Sequence, residues 1–201
     1  MRLNRIEFLA MNNPIRAFAQ RHFEARRLLK LGGEIRGGTA LEVGCGRGFG
    51  IEIILRSFRA DQVDAFDLDQ RMVNLARRRC ARQGETVSIW TDDACSIPRP
   101  DASYDAVFDF GIVHHVPDWR LAVSEIHRVL KPQVRFYAED AFARLINGFP
   151  WRHVAKHPTE DRFDAVGFAE TLTNVGFEVQ ESTSLGGCFG WFIAVKKENL
   201  T

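Results

Sequence analysis

The run Leu41-Glu42-Val43-Gly44-Cys45-Gly46-Arg47-Gly48 constrains this chain more than any other stretch. An apolar run that ends in an acid and alternating glycines reads as a strand turning sharply around a nucleotide-like ligand. Glycine at 44, 46 and 48 lets the backbone bend with φ above zero and approach a ligand closely, since no Cβ stands in the way. A second apolar run, Val63 to Phe66, ends in Asp67, 19 positions after Gly48. A doubly wound sheet places the tip of its next strand there, beside the first. A carboxylate at that tip can accept hydrogen bonds from both hydroxyls of a ribose, and this is the favoured reading. The competing role for Asp67 is to cap a helix starting near Asp69.

Glycine spacing separates two kinds of ligand. A dinucleotide fingerprint G-x-G-x-x-G starting at Gly44 needs glycine at position 49, where the chain has Phe49; it offers Gly44, Gly46, Gly48 and Gly50 instead. Pyrophosphate recognition is therefore the weaker reading. Glu42, two residues before the first glycine, suits a cationic amino group better than a phosphate, so a zwitterionic ligand is expected.

The chain of 201 residues is long enough for one substantial core and short for two domains, so a single domain over 1–201 is expected. A hydrophobic share of 45% and a charged share of 26% are those of an ordinary soluble protein. No stretch approaches the roughly 20 apolar residues of a membrane span, and no secretion signal opens the sequence, which makes the cytoplasm the expected location. Cys45, Cys80, Cys95 and Cys188 are scattered without C-x-x-C spacing. That argues against a zinc site and a disulfide framework, and no metal is expected. Between two glycines, Cys45 is explained by its small size.

Apolar runs predict strands at Thr39 to Val43, Val63 to Phe66, Val87 to Trp90, Tyr104 to Phe108, Arg135 to Glu139, Glu178 to Ser184 and Trp191 to Lys196. Helical segments fall at Gly48 to Phe58, Gln70 to Gln83, Arg120 to Leu130 and Ala165 to Val175. Strand and helix alternate through the first five strands, which predicts parallel pairing with right-handed crossovers. Gly186-Gly187 joins the last two strands as an antiparallel hairpin at the sheet edge.

Charge is uneven although the net value is only +1: eight basic against three acidic side chains leave residues 1–36 at +5. Within this N-terminal extension, Pro14 to Leu31 has helical spacing, with Ile15, Phe18, His22, Ala25 and Leu29 on one face. The favoured role for that face is covering the sheet or closing the ligand pocket. A basic amphipathic helix can also lie on an anionic membrane. Between the fifth strand and the next helix, Phe142 to Asp164 carries Trp151, Arg152, His153, His157 and Pro158. Loops of such length in a compact domain are usually functional or mobile, and this one reads as a substrate lid.

The glycine loop and Asp67, together with Asp92-Asp93-Ala94, the stretch Pro98 to Val107 and Arg128-Val129-Leu130-Lys131-Pro132, resemble the class I S-adenosylmethionine-dependent methyltransferases, in the type 11, UbiE-like small-molecule group. The resemblance covers roughly residues 39 to 140. It implies an α/β fold with a single Rossmann-like, doubly wound sheet of seven strands, mostly parallel with a C-terminal antiparallel hairpin. It implies S-adenosylmethionine as cofactor and S-adenosylhomocysteine as product. Glu42, Gly44, Cys45, Gly46 and Gly48 would then hold the methionine part, Asp67 the ribose, Leu68 the adenine face, and Asp93 with Ala94 the adenine edge; Phe110 joins this set. Asp92 and Asp93 also fit solvated turn residues, and Asp93 is the one expected to touch adenine.

Methyl transfer asks for an in-line nucleophile more than for side-chain chemistry, so positioning can carry most of the rate. Where the acceptor is a hydroxyl or phenol, a base is useful. His114 and His115, in Gly111-Ile112-Val113-His114-His115-Val116-Pro117-Asp118, are the candidates. The His-His-Val-Pro block recurs across the resembled family whatever the substrate, so loop structuring is the competing role. Glu139, at a strand end on the same side with Asp109 and Asp140, is a candidate for orienting the acceptor.

One departure is Lys131-Pro132-Gln133-Val134, where the resembled family has two glycines after the proline. The turn must be made by Gln133 and Val134, and valine is stiff and poor at positive φ.

The function expected is methyl transfer to a small, partly apolar acceptor molecule; 16 phenylalanines and four tryptophans suffice to line its pocket. A rival within enzymes is a lipid or quinone methyltransferase at a membrane surface. A rival of another class is a cofactor-binding regulator or partner subunit without catalysis. Nucleic acid is disfavoured by the near-neutral charge and by the lack of an Asn/Asp-Pro-Pro-aromatic motif.

Overall fold

The computed structural model describes residues 23–146 and 161–198. Seven strands form one sheet in the order β3-β2-β1-β4-β5-β7-β6. They are β1 Thr39–Val43, β2 Gln62–Asp67, β3 Val87–Thr91, β4 Tyr104–Phe110, β5 Leu130–Ala141, β6 Phe177–Leu185 and β7 Phe189–Lys196. The first five pair in parallel, and β7 runs antiparallel between β5 and the edge strand β6. Gly186 and Gly187 both take positive φ, 59° and 67°, as a tight hairpin turn requires of its two central residues.

The longer helices described are α1 Ala25–Gly32, α2 Phe49–Ile53, α3 Gln70–Arg79, α4 Trp119–Val129 and α5 Ala165–Val175, and a single helical turn, Ala143–Ile146, opens the segment read from sequence as a lid. Each of α3, α4 and α5 starts on an aspartate whose carboxylate accepts a backbone N–H of the first turn: Asp69 from Arg71, Asp118 from Leu121, Asp164 from Gly167. The expected helix Gly48 to Phe58 is split, because α2 widens into a π turn over Ile54–Phe58. The expected helix Gln70 to Gln83 stops at Arg79 and is followed by a 3₁₀ stretch, Ala81–Thr86, in which Gly84 leaves helical geometry.

Alternation along the central strands sends side chains to two cores. Leu41, Val43, Phe66 and Val107 face α4 and α5, where Val123, Ile126, Phe168 and Leu172 complete one cluster. Ala40, Ala65, Phe108 and Tyr137 face the other way, with Leu28 of α1, Ile51 of α2 and Val73 of α3. Both faces of β4 are covered, so it reads as a continuous apolar run. Tyr137 anchors α1 by donating its hydroxyl to the carbonyls of Gly32 and Gly33, at 3.1 and 3.0 Å. The rest of the expected N-terminal helix, residues 14–22, and the lid residues 147–160 lie outside the described residues.

Strand β5 starts earlier than expected. Leu130 pairs with Tyr104, and pairing resumes only at Ala106↔Arg135, so Lys131 to Val134 bow out of the ladder. Gln133 makes that excursion with φ of 63°.

The chain leaves β1 toward β2 and β3, then returns to place β4 on the other side of β1. At such a switch point the loops beyond the strand tips diverge and leave a crevice.

Candidate functional site

The crevice holds a cavity of about 380 Å³, lined by Glu42 and the glycine loop, Asp67 and Leu68 beyond β2, Asp92 to Cys95 beyond β3, and Phe110 with residues 112 and 115–118 beyond β4. Gly44, Gly46 and Gly48 all take positive φ, at 68°, 50° and 79°. The loop so formed is tied to the neighbouring strand through Asp67. Its Oδ2 accepts the Gly46 N–H at 2.9 Å and its Oδ1 accepts the Asp69 N–H at 2.8 Å. Since Asp69 caps α3, Asp67 is not the helix cap. Each of its oxygens keeps one lone pair for another donor.

Gly50 explains itself only in three dimensions. A Cβ there would fall on the Glu42 carboxylate and on the Phe110 ring. Gly48 has a different duty: its missing Cβ admits α3, with Ala76 Cα 3.2 Å and Cys80 Sγ 3.3 Å from where that atom would be. Gly48 is absent from the cavity lining, whereas Glu42, Gly44, Cys45, Gly46, Asp67, Leu68, Asp93, Ala94 and Phe110 all belong to it.

The lining is mostly apolar, and carboxylates dominate its charged part. Glu42, Asp67, Asp92, Asp93 and Asp118 face the space together with one guanidinium, that of Arg47. Glu42 is 2% exposed, and its Oε2 has no hydrogen-bond partner among the described residues. Burial first, and then the charges of Asp67 and Asp109, hold its carboxyl well above the usual range. Burial also raises Asp67, with the amides of Asp69 and Gly46 opposing. Burial and the Glu42 and Asp67 charges push the Cys45 thiol up, which leaves it a poor nucleophile.

The two candidate bases and the candidate for orienting the acceptor part company. His115 lines the cavity. His114, its ring centroid 4.0 Å from that of His115, turns away and meets the buried carboxylate of Asp140 through Nδ1. Glu139 is buried in β5 opposite Phe110 and does not line the cavity. Asp93 accepts the Cys95 N–H at 2.9 Å, the turn geometry weighed against its adenine role, and still borders the cavity with Asp92.

The sequence profile of the family described as Methyltransferase domain matches residues 41–138, the span that builds this cavity. A Mycolicibacterium smegmatis protein described as an S-adenosylmethionine-dependent methyltransferase is 33% identical over 147 residues, 73% of this chain and 54% of its own. Residues 41–138 belong to the methyltransferase-domain family. A fatty-acid O-methyltransferase of the same organism is 34% identical over 111 residues, 55% of this chain and 40% of the relative. A demethylmenaquinone methyltransferase of Staphylococcus aureus is 33% identical over 122 residues, 60% and 50% of the two chains. The chain thus spans about half the length of the curated relatives it matches. Among solved structures, a chain from the complex between the Haloferax volcanii Trm112 methyltransferase activator and its methyltransferase superposes with a TM-score of 0.80 at 19% identity, covering 97% of this chain and 100% of that one. An S-adenosylmethionine-dependent methyltransferase of Aquifex aeolicus gives 0.73 at 22% identity, over 96% and 98%. At these identities the structures speak for the fold alone.

The family's cofactor is S-adenosylmethionine, and the residues present fit it. Glu42 Oε2 is a buried acceptor without a donor among the described residues, and an ammonium group is the ligand chemistry that would satisfy it. The surplus of carboxylates suits a cationic sulfonium. Leu68, 41% exposed at the cavity, offers an apolar surface to a base. Sequence reasoning missed Arg47, Phe49, Phe66, Met72 and Cys95 in the lining. Their only signal was adjacency to the glycine loop and to the two aspartate tips. Ile112, Val116, Pro117 and Asp118 lie in the block read as a source of bases, and line the cavity in their own right.

Proposed function

We propose that this protein transfers the methyl group of S-adenosylmethionine to a small, partly apolar acceptor. The single observation that carries the reading is the acidic cavity at the switch point, with the unpartnered Glu42 Oε2 inside it and His115 at its border. The cofactor supplies an electrophilic methyl group whose leaving group is a neutral thioether. The chain's part is to bind and aim: Glu42 takes the ammonium, Asp67 the ribose hydroxyls, and the apolar lining excludes water. His115 is the group placed to receive a proton from a hydroxyl acceptor. Residues 142–164 follow the tip of β5 in the chain, and we read them as the acceptor-side lid of a single domain. Free, scattered cysteines fit a cytoplasmic setting.

The test is methyl-labelled S-adenosylmethionine incubated with an extract of the native cells, alongside Asp67→Ala. Label in the small-molecule organic fraction, above the variant, is the expected result. Label confined to macromolecules would overturn the small acceptor. Cofactor binding without any transfer would favour the non-catalytic regulator or partner-subunit reading.

A lipid or quinone acceptor at a membrane surface is the second reading, favoured by relatives named for a fatty acid and for demethylmenaquinone. No helix among the described residues is long and apolar enough to cross a membrane. This reading predicts binding to anionic liposomes that weakens when Arg26 and Arg27 are both neutralised.

A further inference from the structure

Behind the cavity, two carboxyl groups are buried side by side. Asp109 at the tip of β4 and Asp140 at the tip of β5 are both fully inaccessible to solvent. Asp109 pairs in register with Ala138, so Asp140, two residues further along β5, points to the same face of the sheet. Two bare anions in contact in a dry site are strongly disfavoured, so their hydrogen-bond partners decide which one keeps a proton.

Asp140 is surrounded by donors. Its Oδ2 accepts the His114 backbone N–H at 2.9 Å, and its Oδ1 accepts the Ala141 N–H at 2.8 Å as well as the His114 ring Nδ1. Three of the four lone-pair positions of an ionised carboxylate are thereby filled by N–H groups. Asp109 differs. Its Oδ1 accepts the Ile112 N–H at 2.8 Å and the Val113 amide also favours its anion, while Oδ2 has no hydrogen-bond partner among the described residues. What lies beside it is the Asp140 carboxyl itself. A buried carboxyl oxygen with an acceptor for a neighbour and no donor is satisfied only by becoming a donor.

We propose that Asp109 is a positioning residue that carries a proton on Oδ2 and donates it to Asp140, keeping Asp140 an anion aimed at His114. That anion holds the backbone and the ring of His114, and with them the 112–115 turn whose Ile112 and His115 line the cavity. Arg162, just before α5, closes the cluster by donating to the His114 carbonyl at 2.8 Å. Facing the pair are thus His114 from the turn and Arg162 from the segment leading into α5, with Glu139 on the opposite face of β5. Burial raises both carboxyl groups, Asp140 to about 7, and the Asp140 charge adds to the burial of Asp109.

The proposal rests on the methyl-transfer reading only for its kinetic readout, so the deciding experiment is spectroscopic. Infrared difference spectra of the whole protein at mildly alkaline pH, in light and heavy water, should show a buried protonated carboxyl that disappears in Asp109→Asn, distinct from any contribution of Glu42, which disappears in Glu42→Gln instead. In nitrogen-15 spectra the His114 Nδ1 proton should keep its strongly shifted resonance in Asp109→Asn, whose amide still donates to Asp140. In Asp140→Asn that resonance should move. Kinetically, Asp140→Asn should lower kcat by about tenfold or more, the loss of hydrogen bonds to a charged group, with the KM for S-adenosylmethionine unchanged. Absence of any carboxyl band in a Glu42→Gln background would overturn the proposal, as would a band in that background that survives Asp109→Asn. If the wild-type protein transfers no methyl group, only the functional reading falls; the infrared and nitrogen-15 results still decide the proton.

Discussion

The carboxylate of Glu42 occupies the space that a side chain at Gly50 would need. One residue is next to last in the first strand and the other sits in the first turn of α2, so strand, loop and helix close on each other at this point. In an ordinary helix, alanine is favoured over glycine by about 1 kcal/mol. Here Gly50→Ala should instead destabilise by about 1–3 kcal/mol, the usual result of overfilling a core, and weaken cofactor binding by displacing Glu42. Denaturant midpoints with and without cofactor check both; a stabilised variant would refute the contact.

Glu42 itself should separate stability from binding. Its folded-state carboxyl is held above its unfolded value, chiefly by burial. Such an acid binds more protons folded than unfolded, so its contribution to stability declines as pH rises. Glu42→Gln removes that penalty and should raise the melting temperature of the free protein by about 2–4 °C for each kcal/mol recovered, increasingly at alkaline pH. The same change should weaken cofactor binding by about tenfold or more. Because an incoming ammonium favours the ionised form, binding to the wild-type protein should release a proton. Titration heats that vary with the ionisation enthalpy of the buffer, and cease to vary in Glu42→Gln, would establish this.

Asp67 is as much a brace as a ligand. Asp67→Asn leaves an amide group facing one of the two N–H donors it now accepts, from Gly46 or Asp69. An unsatisfied donor of this kind costs about 1–3 kcal/mol. Faster hydrogen exchange at Gly46 in the free protein is expected alongside the loss of affinity. Affinity lost with Gly46 exchange unchanged would leave Asp67 a ribose contact only.

Gln133 occupies a left-handed conformation, φ 63°, in the excursion at the start of β5. Glycine takes this conformation without the roughly 1–2 kcal/mol it costs other residues, and part of that gain is returned through the freer unfolded chain. Gln133→Gly should therefore stabilise by less than about 1 kcal/mol, with activity unchanged, since the site lies at the far end of the sheet from the cavity. A lower denaturant midpoint would show that Gln133 holds the turn by some contact of its side chain.

Asp140, raised to about 7 chiefly by burial, sets an acid limb. Protonation removes the anion that holds His114, so methyl transfer should decline as pH falls through about 7. The sign for stability is opposite: between the ordinary aspartate value and about 7 the folded state binds more protons than the unfolded chain, so acidification through that window stabilises this group. Asp105 and Glu125, both lowered by partners that include Lys131 and Arg128, contribute stability that is lost only nearer ordinary carboxylate values. Activity should thus decline before the melting temperature does. Coincident losses would assign the acid limb to unfolding.

Much of this was legible in the chain. All seven strands were placed; the central ones stand out as apolar runs, because strands covered on both faces repeat Val, Ile, Phe and Ala with little interruption, while the polar edge strand β6 was marked by the Gly186-Gly187 turn that follows it. The ends were less legible. Helix α2 loses its regular pitch at Ile54, and α3 stops at Arg79, where packing and a glycine override periodicity. The departure at Gln133 was visible as a missing glycine, and the structure shows the same residue taking the glycine's conformation.

The sequence by itself determined the crossover order, the glycine loop and the acids at the strand tips, because these depend on local patterns of burial, turn chemistry and spacing. Tertiary structure alone decided what each residue does there. Gly48 makes room for α3 and Gly50 for a carboxylate; His115 reaches the cavity while His114 turns to Asp140; and Asp109 and Asp140, thirty-one positions apart, become one buried pair. Such roles depend on which strand tips meet across the sheet, and proximity between distant residues leaves no periodic trace in the chain.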